Sequence, residues 1–313
     1  MKTDKAIHRL YSDLAHKLRR ITPPRKLYWI DRRRNNAHCI FCGGSPTNLE
    51  HIWPAWSHEY LPRDIRSWYA VHAIERLNRS DIHVDKRGGD PHDRQVNAVD
   101  ERCNNGWMRE KIEDPATDVL TRLFTGANNP TRITEDEQRL IASWIALRTM
   151  VAEYDHYSPH ITHHMQRKRL WKTQTISREN WRVWIGNYEG REAGALWIQH
   201  SFLILPDAVS ARRKTRTANY ANGQTLTYVI GKLLIHIMYC PDPVLLKIWK
   251  FPALVSGKFV CIWPTTGLSI MWPLPALTDD EAHFASSAFR QFILGTAMKR
   301  RTPDDVAKAL QIS

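Results

Sequence analysis

The feature that most constrains the fold of this 313-residue chain is a close pair of cysteines with a third cysteine far along the sequence. Cys39 and Cys42 have the Cys-x-x-Cys spacing, which presents two thiolates to one tetrahedral ion. Cys103 supplies a third thiolate, so a fold that uses all of them must bring two distant segments together. We therefore predict a structural zinc site formed by Cys39, Cys42 and Cys103.

A structural zinc takes four ligands, and one position remains to be filled. A matching cysteine would stand three residues before Cys103, where the sequence has Asp100. A carboxylate can complete the tetrahedral shell, which makes Asp100 the preferred fourth ligand. His92 and His83, from the polar segment between the cysteine blocks, are the alternatives.

The net charge indicates an acidic partner. The chain has 45 Lys and Arg against 32 Asp and Glu, which gives a formal charge of +13. Nucleic acid is the commonest partner of so basic a chain, although a merely basic protein is the simpler alternative. The first residues contain no apolar core of a signal peptide, and no apolar run is long enough to cross a membrane. The odd number of cysteines argues against a disulfide framework. We predict a cytoplasmic protein with no membrane association.

A second block combines an acid and a histidine before a proline. Glu50 and His51 are followed by Ile52, Trp53 and Pro54, as at the end of a short strand. Phosphodiester hydrolysis needs a base that activates water and a cation that stabilises the phosphate. A histidine suits the base, and a carboxylate suits a hard ion of the Mg²⁺ type. Asn104, next to Cys103, can bring an amide oxygen to the same ion.

Taken together, three blocks of the sequence resemble the HNH endonuclease superfamily. They are Cys39-x-x-Cys42, then Glu50-His51-Ile52 before Pro54, then Cys103-Asn104-Asn105-Gly106-Trp107-Met108. The resemblance covers about residues 36–118 and implies a treble-cleft-like ββα-metal finger of the zinc-stabilised type. It further implies hydrolysis of DNA phosphodiester bonds, with Zn²⁺ as the structural metal and Mg²⁺ or Mn²⁺ as the catalytic one.

Carried over residue by residue, the resemblance implies His51 as the general base, and Glu50 and Asn104 as ligands of the catalytic metal. The middle Asn of the family pattern, which orients the base, has no unambiguous counterpart. Asn97 is the nearest candidate and Asn105 the next. The sequence departs from the family at Asp100, where a cysteine is expected, and in a long insertion at residues 58–95. We expect this insertion to fold over or beside the finger.

The remaining patterns predict an α+β fold, in which the finger precedes a helix-flanked, mainly antiparallel sheet domain. We predict a basic N-terminal helix and lead-in over 1–35, the finger over 36–118, and a C-terminal domain of unknown role over 130–313. Within this last domain, Thr134 and Glu137 predict a capped helix that runs to about Tyr157. Its predicted buried stripe consists of Leu140, Trp144, Leu147, Val151 and Tyr154. The predicted strands are Trp181–Tyr188, Ala195–Leu205, Thr225–Met238 and Lys258–Trp263, and Asn222-Gly223 predicts a tight hairpin turn.

Two alternatives to a DNA-cleaving enzyme stay open at this stage. The chain can be a non-catalytic zinc-finger module that binds nucleic acid or protein, which the aspartate at position 100 favours, or a nuclease that acts on RNA. If the chain binds duplex DNA, clusters of basic side chains would contact the phosphates of the DNA backbone. These clusters are Arg32–Arg34, Arg167–Arg169, Arg212–Lys214 with Arg216, and Lys299–Arg301. Trp53, Trp56 and Trp107 are expected to pack in the core rather than to stack on bases.

Overall fold

The computed structural model confirms an α+β protein. It describes residues 38–45, 48–61, 63, 68–76, 83–88, 90–126, 130–155, 161–191, 199–204, 221–240, 246, 257–286 and 288. The predicted N-terminal helix lies outside these residues, as do three of the four basic clusters and the end of the chain.

The strands form one large sheet and two small ones. The strands are β1 (Asn48–His51), β2 (Trp68–Arg76), β3 (His83–Gly88), β4 (Gln95–Val99), β5 (Thr131–Ile133), β6 (Trp181–Tyr188), β7 (Gln199–Ile204), β8 (Ala221–Ile230), β9 (Leu233–Tyr239), β10 (Phe259–Trp263), β11 (Ile270–Trp272) and β12 (Ala276–Leu277). The large sheet has the order β3-β2-β7-β8-β9-β6-β10, with β12 also on β6. Its pairs are antiparallel except β2 with β7 and β6 with β12. The sheet is therefore mainly antiparallel, as the sequence predicted.

The helical segments are interspersed with the strands along the chain. They are a 3₁₀ turn (Ala55–Tyr60), a short 3₁₀ turn (Pro91–Asp93), a π-helical segment (Cys103–Glu113), α1 (Asp114–Thr125), α2 (Glu135–Ala152) and α3 (His164–Thr173). A further helix is described over residues 279–286. The π-helical segment is kinked at Gly106 and leads directly into α1.

The predicted capping box at the start of α2 is confirmed. The Thr134 side chain accepts the backbone N–H of Glu137, and the Glu137 carboxylate accepts the Thr134 N–H at 2.7 Å. These contacts satisfy two backbone donors that the first turn would otherwise leave unpaired. The helix ends at Ala152, five residues before the predicted Tyr157.

The small hairpin that carries Glu50 and His51 is followed by a helical segment. β1 pairs antiparallel with β4, with Glu50 opposite Val96 and His51 opposite Gln95. The π-helical segment begins soon after β4 ends. α2 contacts both β4 and the π-helical segment, so the hairpin lies against the C-terminal half of the molecule.

One hydrophobic core joins the two halves of the chain. It contains Cys39 and Phe41 near the start of the described residues and Trp272 near their end. Trp53 is buried, and its ring lies edge-on to the ring of Tyr228 in β8, with 5.1 Å between the ring centroids. The Trp56 ring stacks on Phe124, with 5.9 Å between the centroids. The prediction that these tryptophans pack in the core is confirmed.

The predicted hairpin turn at Asn222-Gly223 is wrong. Both residues lie inside β8, and the predicted single strand Thr225–Met238 is divided between β8 and β9. The chain reverses at Gly231, whose φ of 53° is in the left-handed region that favours glycine. A Cβ added there would lie 2.3 Å from the Phe124 carbonyl oxygen, so this turn against α1 requires glycine.

The long insertion was expected to fold over or beside the finger. Its strands β2 and β3 instead extend the large sheet, where β2 pairs with β7 in parallel. The chain thus leaves the 3₁₀ turn that follows β1, adds two strands to the C-terminal sheet, and returns to the hairpin at β4. This long-range pairing has no signature in the local pattern of residues 58–95.

Candidate metal centre and catalytic residues

The predicted cysteines come together. The Sγ atoms of Cys39, Cys42 and Cys103 all lie within 4.8 Å of one another. Cys39 and Cys103 are buried, and Cys42 is partly exposed. A group of thiols at these separations can hold one metal ion.

The local backbone explains how the Cys-x-x-Cys segment turns. Gly43 has a φ of 81°, which few residues other than glycine adopt. The Gly43 N–H donates to the Cys39 carbonyl at 3.0 Å, and the Gly44 N–H donates to Cys42 Sγ at 3.3 Å. Ile40 N–H donates to the Ala98 carbonyl at 3.0 Å, which fixes the turn to the end of β4 that precedes Cys103.

The electrostatics of the cluster favour a cation. Burial raises the pKa of the Cys103 thiol to about 12, and the neighbouring thiols add to this. Burial also opposes ionisation of Cys39, but backbone N–H donors outweigh it and lower the pKa of that thiol. Thiolates packed this closely repel one another, and a divalent cation would remove the repulsion.

The predicted fourth ligand does not join the cluster. The Asp100 carboxylate accepts the Arg102 N–H at 2.9 Å, and the Asp100 carbonyl accepts the N–H of Cys103 at 3.0 Å, so Asp100 caps the π-helical segment. Within the described part of the chain, the group of possible metal ligands contains the three thiols alone. Asp100 still borders it, because a Cβ added at Gly44 would lie 3.0 Å from Asp100 Oδ2 and 3.3 Å from Cys42 Sγ.

The two alternative ligands also lie elsewhere. His92 is buried, and its Nε2 donates to the Leu61 carbonyl at 2.6 Å while its Nδ1 accepts Arg63 Nε at 3.1 Å. Both ring nitrogens of His92 are therefore engaged away from the thiols. His83 belongs to β3 in the large sheet.

His51 is the last residue of β1 and is partly exposed. Its Nε2 lies 2.7 Å from the side-chain amide nitrogen of Gln95, the residue opposite it on β4. A side-chain amide presents either its oxygen or its nitrogen to such a contact. With the amide nitrogen toward the ring, Gln95 donates to Nε2 and Nδ1 carries the ring proton. With the amide turned over, its oxygen accepts Nε2–H and Nδ1 of His51 is left able to accept a proton.

Two further histidines, His58 and His92, form a series of ring contacts with His51. The His58 ring meets His51 edge-on at 5.7 Å and stacks on His92 at 4.3 Å. His58 Nε2 donates to the Trp53 carbonyl at 3.0 Å. Burial, together with the two other histidines and Arg63, lowers the pKa of His58, which keeps this ring neutral at pH 7.

Glu50 points the other way from His51, as alternation along a strand requires. It is 5% exposed, and its Oε1 accepts Nη1 of Arg148 at 2.9 Å. The other guanidinium nitrogen of Arg148, Nη2, lies 2.7 Å from Oε1 of Glu113 in the π-helical segment. Glu50 Oε2 accepts no hydrogen bond from the described residues. One oxygen of this buried carboxylate is therefore held by Arg148, and the other has no hydrogen-bond donor among the described residues.

The predicted asparagines are less constrained. Asn104 is partly exposed, and its backbone N–H donates to the Asp100 carbonyl at 3.0 Å. Its side chain makes no hydrogen bond to Glu50 or His51. Asn97 and Asn105 are both exposed, and neither contacts His51. Among the described residues, it is Gln95 whose side-chain amide contacts a ring nitrogen of His51.

Sequence reasoning missed two residues of this region. Gln95 could not be recognised before the β1–β4 register was known. Arg148 did carry a signal, because it lies four residues after Trp144 and three before Val151 on the predicted buried stripe of α2. A charged residue on a buried stripe needs a buried partner.

The basic cluster Arg167–Arg169 is not a uniform phosphate-binding surface. Arg167 is buried, and it forms an ion pair with Glu153 and donates to Tyr154 Oη at 2.6 Å. Lys168 and Arg169 are exposed. One of the three charges is therefore structural.

No protein-family model, curated protein or solved structure matches this chain. None of the described helices has the length and apolar character needed to cross a membrane.

Proposed function

We propose that this chain is a metal-dependent HNH-type endonuclease that hydrolyses DNA phosphodiester bonds. The observation that carries the proposal is a partly exposed imidazole, His51, with one ring nitrogen beside the Gln95 amide. It is adjacent in sequence to Glu50, a carboxylate anchored through one oxygen. A scaffold protein has no need of the partly exposed imidazole.

In this mechanism His51 Nδ1 takes a proton from the attacking water, while Gln95 holds the ring at Nε2. Positioned proton transfer of this kind contributes about 10²–10⁴-fold to a rate. Glu50 Oε2 would offer a Mg²⁺-class ion one hard oxygen donor. Asn104, the second ligand that the family resemblance implies, lies next to Cys103, and its side chain makes no hydrogen bond to Glu50 among the described residues. When bound, such an ion offsets the charge that develops on the phosphate and on the leaving oxygen.

Cys39, Cys42 and Cys103 would hold a structural zinc in this proposal. Three thiolates fill three of the four positions of a tetrahedral ion. Asp100 remains the candidate for the fourth position, because its Oδ2 and the Cys42 sulfur both lie over Gly44. The ββα-metal finger then consists of β1, β4 and the π-helical segment with α1.

The test is cleavage of supercoiled plasmid by the full chain with Mg²⁺ or Mn²⁺, and with EDTA. We expect metal-dependent nicking that His51→Ala lowers by about 10²–10⁴-fold. His164→Ala is the matched control, because His164 is exposed on α3 and makes no contact with the site. Equal activity of His51→Ala and wild type would refute the mechanism.

The competing function is a non-catalytic zinc-binding module. The engagement of Glu50 by Arg148 favours it, since a carboxylate in a buried ion pair can be purely structural. Folded, zinc-loaded protein that cleaves neither DNA nor single-stranded RNA would support the module. Cleavage of the RNA alone would assign the same chemistry to a ribonuclease.

A further inference from the structure

We propose that Arg148 of α2 is a positioning residue of this site, which holds the Glu50 carboxylate and the backbone of His51 in place. This inference rests on the proposed function, because it concerns the same site. It gives the C-terminal half of the chain, which has no catalytic pattern in its sequence, a part in catalysis.

The contacts of Arg148 converge on the end of β1. Nη1 donates to Glu50 Oε1 at 2.9 Å and to the His51 carbonyl at 3.0 Å. Nη2 lies 2.7 Å from Glu113 Oε1. The Nη2 contact is an ion pair without hydrogen-bond geometry, so the direction of the planar guanidinium is set by the two hydrogen bonds of Nη1 and the charge of Glu113 attracts its other side. Arg148 thereby sets the positions of two consecutive residues of the proposed site.

Packing alone does not explain an arginine here. Arg148 is fully buried on α2, and the stability of a buried ion pair is often matched or exceeded by apolar side chains of similar volume. What an apolar side chain cannot do is orient a carboxylate and a carbonyl at once. Because Oε1 of Glu50 is taken, the residue can offer only Oε2 to an ion, and the ligand geometry is set in advance.

A second buried arginine provides the comparison. Arg167 on α3 is also buried and forms an ion pair with a buried carboxylate, Glu153. Its other hydrogen bond goes to Tyr154, and it does not contact Glu50 or His51. Arg167 therefore has the same chemistry and burial as Arg148 without the connection to the site.

The experiment compares full-length wild type, Arg148→Lys and Arg167→Lys. A lysine keeps the charge, but its single ammonium group cannot reproduce the planar contacts with Glu50, His51 and Glu113. The first readout is the ring ¹⁵N signal of His51 in histidine-labelled protein, assigned by its loss in His51→Ala. The second is the kcat and KM of DNA cleavage.

We expect Arg148→Lys to shift or broaden the His51 signals and to lower kcat by about 10²-fold, as a misplacement of about 1 Å can. KM should stay within about twofold, because the change affects the reacting groups and not the DNA-binding surface. Arg167→Lys should leave both the signals and kcat unchanged. If Arg148→Lys does not fold, Glu113→Gln removes the second anchor of the guanidinium and should shift the His51 signals in the same way.

Unchanged His51 signals in folded Arg148→Lys, or equal changes in Arg167→Lys, would overturn the assignment. The two readouts separate this inference from the proposed function. A wild-type protein that cleaves nothing refutes the nuclease, whereas the His51 signals still decide whether Arg148 positions that residue.

Discussion

The buried cation of α2 allows a quantitative prediction for stability. Arg148→Met should lower the free energy of unfolding by about 3–5 kcal/mol at pH 7, the usual cost of removing one partner from a buried ion pair. The reason is that Glu50 and Glu113 stay buried after the substitution and lose their shared counter-charge. A small globular protein has a total stability of only about 5–15 kcal/mol.

The magnitude follows from the distances. At 2.9 Å and 2.7 Å, each contact of the guanidinium with a carboxylate oxygen is worth about 6 kcal/mol of attraction at an effective dielectric constant of about 20. Desolvation of the guanidinium, several kcal/mol, offsets part of this gain. Arg148→Met removes both the attraction and the desolvation cost of the guanidinium. The desolvation cost of the two buried carboxylates remains, and no positive charge is left to offset it. A loss of about 3–5 kcal/mol is consistent with this balance.

The assay is urea denaturation at pH 7, followed by tryptophan fluorescence and circular dichroism. Arg139→Met is the matched control on the same helix, because Arg139 is exposed and its nearest carboxylate oxygen, on Asp136, is 3.2 Å away. That pair should be worth less than about 1 kcal/mol. The double variant Arg148→Met/Glu113→Leu should regain part of the loss, since one unpaired charge is gone. A loss for Arg148→Met no larger than for Arg139→Met would refute the buried triad.

Three other predictions concern the metal, the base and pH. Purified protein should carry about one zinc per chain by elemental analysis, and Cys103→Ser should lower this content because it removes one of the three thiol ligands. Gln95→Leu should lower kcat with little change in KM, because the His51 ring loses its contact at Nε2. The measurement is steady-state kinetics, and an unchanged kcat would show that Gln95 has no part in the reaction. Burial raises the pKa of Glu113 above its ordinary value of 4.5, so the folded state favours its protonated form. The resulting stabilisation is present below about pH 4.5 and is lost as the pH rises through the raised pKa, so Glu113→Gln should show a flatter pH dependence of urea stability than wild type.

The parts of the fold that were predicted correctly depend on local patterns. The Thr134–Glu137 capping box joins residues three positions apart, and the strand Trp181–Tyr188 is marked by its own apolar and aromatic residues, although its pairing partners are distant in sequence. The cysteine cluster was also predictable, although its members are distant, because a Cys-x-x-Cys pair with a third cysteine farther along the chain is a spacing typical of metal sites.

The parts that could not be predicted depend on long-range pairing. Strands β2 and β3 join a sheet whose other strands begin at Trp181, and no local periodicity signals that partner. Asn222-Gly223 has the sequence of a tight turn, but both residues pair within β8. The chain reverses instead at Gly231, where any Cβ would clash with the Phe124 carbonyl oxygen. Gln95 depended on register, which a sequence pattern does not fix.

The geometry of the β1–β4 hairpin separates the roles of the two proposed metals. The cysteines flank the start of β1 and the end of β4, which is one end of an antiparallel pair, while His51 and Gln95 lie at the other end. Five residues of β4 at about 3.3 Å each put roughly 13 Å between these ends. An ion among the thiols is therefore too far from His51 to act on the same phosphate. The hairpin is instead held at one end by the thiol cluster and at the other by Arg148, and His51 lies at the end held by Arg148.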